Sequence, residues 1–70
     1  MKLKQKEKVL RHLREFGSIT PMEAIREYGI MRLGARIFDL KADGYAVETT
    51  IVHDKNRFGE PTHYARYTLL

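Results

Sequence analysis

The stretch from Thr20 to Gly44, TPMEAIREYGIMRLGARIFDLKADG, constrains this chain most. Three start signals for a helix coincide in its first turn. Thr20 can cap the helix, Pro21 stands where no intrahelical N–H bond is lost, and Glu23 completes a capping box with Thr20. The periodicity puts Ala24, Ile25 and Tyr28 on a buried face, with Glu23, Arg26 and Glu27 outside. Gly29 then demands an end or a sharp turn. A second helix is expected from about Met31 to Asp43, stopped by Gly44. Leu33, Ile37 and Leu40, led in by Ile30, give it one core-facing stripe. Two helices joined at a glycine have the grammar of a helix-turn-helix, whose second helix is the one offered to a DNA groove.

Upstream, a helix is expected over about residues 4–16. Val9, Leu10, Leu13 and Phe16 fall at helical spacing, and Leu3 lies one heptad before Leu10. Lys8, Arg11, His12, Arg14 and Glu15 take the remaining surface. Gly17 ends this helix. Ile19, a lone apolar residue between Ser18 and Thr20, could add a short strand to a later sheet.

Downstream of Gly44 the pattern changes from helical to alternating. Tyr45, Val47, Thr49 and Ile51 share one strand face, and Ala46, Glu48, Thr50 and Val52 the other. The run from Asp54 to Gly59 is turn-rich, and Pro61 belongs at a strand start or edge. A second strand from about Thr62 to Leu69 closes a hairpin over about residues 45–69. An isolated two-stranded sheet is marginal, so its apolar face should cover the helices, with Phe38 packed beneath it. Three helices and then a hairpin is the order of a winged helix. The expected fold is α+β, one winged helix-turn-helix domain over residues 1–70.

Composition supports one small core. The chain has 70 residues, 43% of them hydrophobic, with four Tyr and three Phe, which argues against disorder. It has no cysteine, which removes disulfides, thiolate nucleophiles and thiolate-bound zinc and fits a cytosolic, reducing compartment. The N-terminus MKLKQKEKVL is basic but never becomes an apolar run, so neither a signal peptide nor a membrane span is expected, and the chain reads as complete and intracellular. Net charge is +4 with a pI near 9.6, which attracts polyanions through counterion release.

The side chains that could carry function are basic. Arg32, Ala35, Arg36 and Asp39 share a face of the third helix, and Gly34 and Ala35 keep that surface low. Two arginines beside small residues suit bidentate contact to guanine or a clamp on phosphates, and Asp39 stands at i+3 to pair with Arg36. Lys55, Asn56 and Arg57 form the hairpin tip, which could meet the DNA backbone or minor groove. Lys2, Lys4, Lys6 and Lys8 oppose the macrodipole of their own helix, which fits either contact with phosphates outside it or a frayed solubilising arm. His12, His53 and His63 lack a third ligand of the right type, so no metal site is expected. No nucleophile–base grouping or glycine-rich phosphate loop is present, so neither catalysis, cofactor nor small-molecule substrate is expected.

The segment GSITPMEAIREYGIMRLGARIFDLKADGY, with a hairpin ending in YARYTLL, resembles the small winged helix-turn-helix domains of bacteriophage and prophage proteins. The resemblance spans nearly the whole chain. Its most specific parts are S-I-T-x-x-E-A, the Y-G-I turn, and R-L-x-A-R-I-x-D-L running into G-Y. It implies binding of double-stranded DNA in transcriptional or recombination regulation, with Arg32, Ala35, Arg36 and Asp39 on the recognition helix and Lys55 to Arg57 at the wing tip. The chain departs from the repressor-type pattern at the turn, where Met31 and Arg32 follow Ile30 with no Ser or Thr to cap the next helix. That predicts a short turn and an uncapped helix start near Ile30, where Met31, like Thr20 at the preceding helix, could meet a phosphate. A homodimer or partner protein would add contacts that one domain lacks. The alternative is a protein-docking module of the same fold with no DNA binding of its own.

Overall fold

Residues 3–70 are described by a computed structural model. The elements run α1 Gln5–Phe16, β1 Ser18–Ile19, α2 Pro21–Tyr28, α3 Leu33–Ala42, β2 Val47–Lys55 and β3 Pro61–Leu69. The three strands form one antiparallel sheet in the order β1-β3-β2. The short strand foreseen at Ile19 exists: Ser18 lies opposite Thr68 and Ile19 opposite Tyr67. It turns the hairpin into a three-stranded sheet and anchors it between α1 and α2.

One cluster supplies the core. Val9 and Leu13 come from α1, Ile19 from β1, Ala24 from α2, and Ile30 from the link before α3. Leu33, Ile37 and Leu40 come from α3 and Val47 from β2. Each fully buried aliphatic side chain contributes about 1.5–3 kcal/mol relative to exposure. The helix ends follow local chemistry. The Thr20 N–H donates to Glu23 Oε1 at 2.9 Å, and the Glu23 N–H donates to Thr20 Oγ1 at 3.4 Å, which closes the expected capping box. At the end of α3, the Gly44 N–H donates to the Lys41 carbonyl and the Tyr45 N–H to the Leu40 carbonyl. This Schellman pair needs positive φ at Gly44, which has φ 101°.

Several side chains depart from the periodic reading. His12, expected at the surface, is 4% exposed, whereas Phe16, expected in the core, is 64% exposed. Phe16 is the last residue of α1, beyond the reach of the core. His12 can enter because its Nδ1 lies 2.6 Å from the Tyr28 hydroxyl, while Phe16 packs over the ring at a centroid distance of 4.6 Å. Its Nε2 is buried without a hydrogen-bond partner, so Tyr28 is the ring's polar tie. Ile25 and Leu3 are exposed rather than buried.

The hairpin also behaves differently from expectation. Only its base covers the helices, where Val47 opposite Leu69 and the neighbouring Tyr67 meet the core. Ile51 is exposed, as is Phe38, which does not pack beneath the hairpin. Strands of nine residues are about 30 Å long, longer than the helical body can cover, so the outer half projects. Extents of 42 × 24 × 20 Å agree with a small body carrying an arm.

Burial, and then the carboxylates of Glu27, Glu15 and Glu23, push the Tyr28 phenol above its ordinary value of 10.0. A raised folded-state value means that Tyr28 contributes stability fully present below pH 10 and lost as pH rises through the folded-state value. Tyr28→Phe should flatten that alkaline decline and, by orphaning His12, cost about 1–3 kcal/mol at neutral pH. Urea titrations of both proteins from pH 7 to 11 measure the two effects.

Candidate nucleic-acid interface

The link between α2 and α3 sets how the third helix is presented. Gly29 adopts a left-handed conformation, φ 66° and ψ 23°, and its N–H donates to the Ile25 carbonyl. Ile30 then plunges into the core, fully buried, with its N–H on the Ala24 carbonyl at 3.1 Å. Only after that anchor does the chain turn into α3, at Leu33. This corrects two expectations. The turn spans Gly29 to Arg32 and is not short, and Met31 and Arg32 precede the helix rather than belonging to it. Arg32 stands at the N-cap with no side-chain cap bond, as the missing Ser or Thr implied.

The helix turns a different face outward than its charges suggested. Leu33, Ile37 and Leu40 point inward, so Ala35, Phe38 and Ala42 lie on the far side. Phe38 is 71% exposed, and Met31, just ahead of the helix, is 81% exposed. Arg36 lies to one flank and Asp39 at the edge of the outward side, both half-buried. Arg36 Nε is 3.3 Å from Asp39 Oδ2, an ion pair without good N–H···O alignment. Arg32 and Arg36 do come together, beside Gln5, around a hollow of about 210 Å³ that also touches Gly29 and Met31. The outward line is therefore apolar, with the arginines along its edge. Met31 was expected as a phosphate contact and Phe38 beneath the hairpin; the side opposite the Leu33/Ile37/Leu40 stripe is the sequence signal that places Phe38 outward.

Two elements frame this line. On the arginine side runs the start of α1: Gln5 shares the hollow, and Lys6 Nζ is 2.7 Å from Asp43 Oδ2. That bond gives one basic N-terminal residue an intramolecular partner rather than a phosphate, and Asp43 raises the Lys6 ammonium above its usual value. Lys4 and Lys8 follow on α1, and Lys2 lies outside the described residues. On the other side is the hairpin, where the Tyr67 hydroxyl lies 3.7 Å from the place a Cβ on Gly34 would occupy. Charge is uneven between the frames. Residues 1–16 hold six Lys/Arg and two Asp/Glu, and residues 17–70 hold seven of each, so the whole net positive charge sits in the first helix and its lead-in.

The remaining candidates divide. Lys55 and Arg57 are exposed at the hairpin tip. Asn56 spends its amide inside the loop: Oδ1 accepts from the N–H groups of Phe58 at 2.9 Å and Glu60 at 3.0 Å, and Nδ2 donates to Glu60 Oε1. It shapes the tip and holds Phe58 exposed between Arg57 and Gly59. Thr20 is buried and its hydroxyl is engaged with Glu23, which leaves it to the helix rather than to a phosphate. His53 and His63 face each other across the hairpin with ring centroids 6.4 Å apart. Among the described residues no group of three His, Cys, Asp or Glu side chains could hold a metal ion, and no helix is long and apolar enough to cross a membrane.

Comparison with known proteins agrees with this architecture. Residues 4–70 match the family model described as a winged helix-turn-helix domain, and the chain belongs to that family. No curated protein and no solved structure matches it.

The Asn56 bonds make the tip a built loop rather than a slack one. Asn56→Ala should remove amide exchange protection at Phe58 and Glu60 while leaving the core amides of α1 and α3 unchanged, as read by hydrogen exchange.

Proposed function

We propose that this winged helix-turn-helix domain binds double-stranded DNA, with α3 in the major groove, the start of α1 and the hairpin against the flanking backbone, and the tip residues Lys55 and Arg57 reaching the phosphates or minor groove. The observation that supports this reading best is the frame around α3. Phe38 and Ala42 stand exposed on its outer side, a basic helix start lies along one side, and the base of the projecting hairpin lies along the other. That is the layout a groove-reading helix needs, since phosphate contacts position and the central helix specifies. Family membership supports DNA as the partner.

In this reading Arg32 and Arg36 act at the edge of the groove on phosphates or guanine, Ala35 lies on the groove-facing side, and Asp39 holds the Arg36 guanidinium in place. Met31 precedes the helix start, whose uncapped N–H groups face the same edge. The domain acts without catalysis or cofactor, in the cytoplasm, as a transcriptional or recombination regulator of phage or prophage type. One small domain buries little DNA surface, so tight binding uses a homodimer or a partner protein. The second reading, a docking module for another protein, draws on the exposed Phe38 and Met31.

Selection from a random duplex library at stated ionic strength tests both readings. Under the DNA reading duplexes are enriched and affinity falls steeply with salt. An Arg32→Ala/Arg36→Ala variant should keep its fold, lose roughly tenfold or more in affinity, and have a log K against log salt slope shallower by about 2. Undiminished binding by the variant would remove the arginines from the interface, and absence of enrichment by the parent chain would favour docking.

A further inference from the structure

The face that α3 offers is unusual for a basic domain. Along its outward line stand Ala35, Phe38 and Ala42, with Met31 just before them. None of these side chains donates or accepts a hydrogen bond. Asp39, about as far round the helix from the core stripe as Phe38, is drawn toward Arg36 on the flank, Oδ2 to Nε 3.3 Å. Small residues at Gly34, Ala35 and Ala42 leave Phe38 as the one bulky projection on α3's outer side, 71% exposed. Phe38 and Met31, 81% exposed, leave apolar surface at α3 and its lead-in for a partner to cover. The charge beside it says which: the chain's net +4 lies in residues 1–16, whose helix runs along one margin together with Arg32, a setting complementary to a polyanion rather than to an apolar protein surface.

A duplex presents few apolar features to such a line. The major-groove edges of guanine, adenine and cytosine carry hydrogen-bond donors and acceptors, and thymine alone adds a C5-methyl group. We propose that Phe38, with Ala35 and Met31, packs against thymine C5-methyl groups on the major-groove floor, so that this domain selects thymine-bearing sites by apolar contact. The inference rests on the DNA-binding reading and adds its specificity. Affinity comes from the cations of α1 and Arg32 along one margin, and selection comes from the apolar side chains beside them. Arg32 and Arg36 then position the helix and carry less of the sequence preference than their charge suggests.

The test replaces a single chemical group. The tightest duplexes from a random-core library are resynthesised with uracil for every thymine, which removes only the methyls, and are titrated against the full chain by fluorescence anisotropy. Each contacted methyl should be worth roughly fourfold, so a site with two or three contacts should bind uracil duplexes about tenfold or more weakly. Phe38→Ala should keep its helical circular dichroism and melting, because the ring is exposed, and its thymine-to-uracil ratio should fall toward one. Equal binding of thymine and uracil duplexes would overturn the inference and leave DNA binding intact. An unchanged ratio in Phe38→Ala would remove Phe38 from the contact and overturn it as stated. Failure to enrich any duplex would overturn both, and is distinct from either result.

Discussion

The burial of Ile30 behind the left-handed turn at Gly29 is the constraint on which the rest of the molecule depends. It fixes the point where the chain leaves α2, and it delays α3 until Leu33. Ile30 then shares the core with the Leu33, Ile37 and Leu40 stripe, which locks the rotation of α3 about its own axis. With that rotation set, Ala35, Phe38 and Ala42 face outward and Arg36 lies at the flank. No surface charge could reverse this, because turning α3 to project its arginines would expose aliphatic side chains worth about 1.5–3 kcal/mol each.

The second organising feature is the separation of charge from surface chemistry. Residues 17–70 are electrically balanced, and the net +4 resides in residues 1–16. Lys6 reaches across to Asp43, so the basic start of α1 is tied to the end of α3 rather than left as a tail. In the proposed complex this distributes two tasks. Long-range attraction and phosphate contact belong to α1, Arg32 and the hairpin tip, whose effects are screened by salt. Short-range discrimination belongs to an apolar line whose contacts do not depend on ionic strength.

Much of the fold was legible from local patterns. The capping box of Thr20 and Glu23, the stops at Gly17, Gly29 and Gly44, the core stripe of α3 and the added strand at Ile19 all follow from spacing and backbone chemistry. The misplacements share one cause. His12 and Phe16 are both at the margin of the α1 stripe, and periodicity does not say which one a neighbouring element will cover. Tyr28 supplied a hydroxyl to one and nothing covered the other. Ile25 and Phe38 were expected to be covered and stand exposed, because α2 seats Ala24 in the core instead and Phe38 lies on the side of α3 away from the core stripe. The candidate site was legible in its location on α3 and the hairpin tip. The exact face was not, since Arg36 is drawn to Asp39 and Asn56 is consumed in shaping its own loop.

By itself, then, the sequence determined the order of elements, their caps, the core-facing residues of α3 and the basic character of the first helix, because these depend on contacts within a few residues. Only the tertiary structure decided that α3 begins at Leu33, that its outward line is apolar, and that the start of α1 lies beside it. Those facts depend on Lys6 and Tyr67 meeting residues 37 and 33 positions away and on Ile30 entering a core built from six segments, and such meetings leave no periodic mark in the chain.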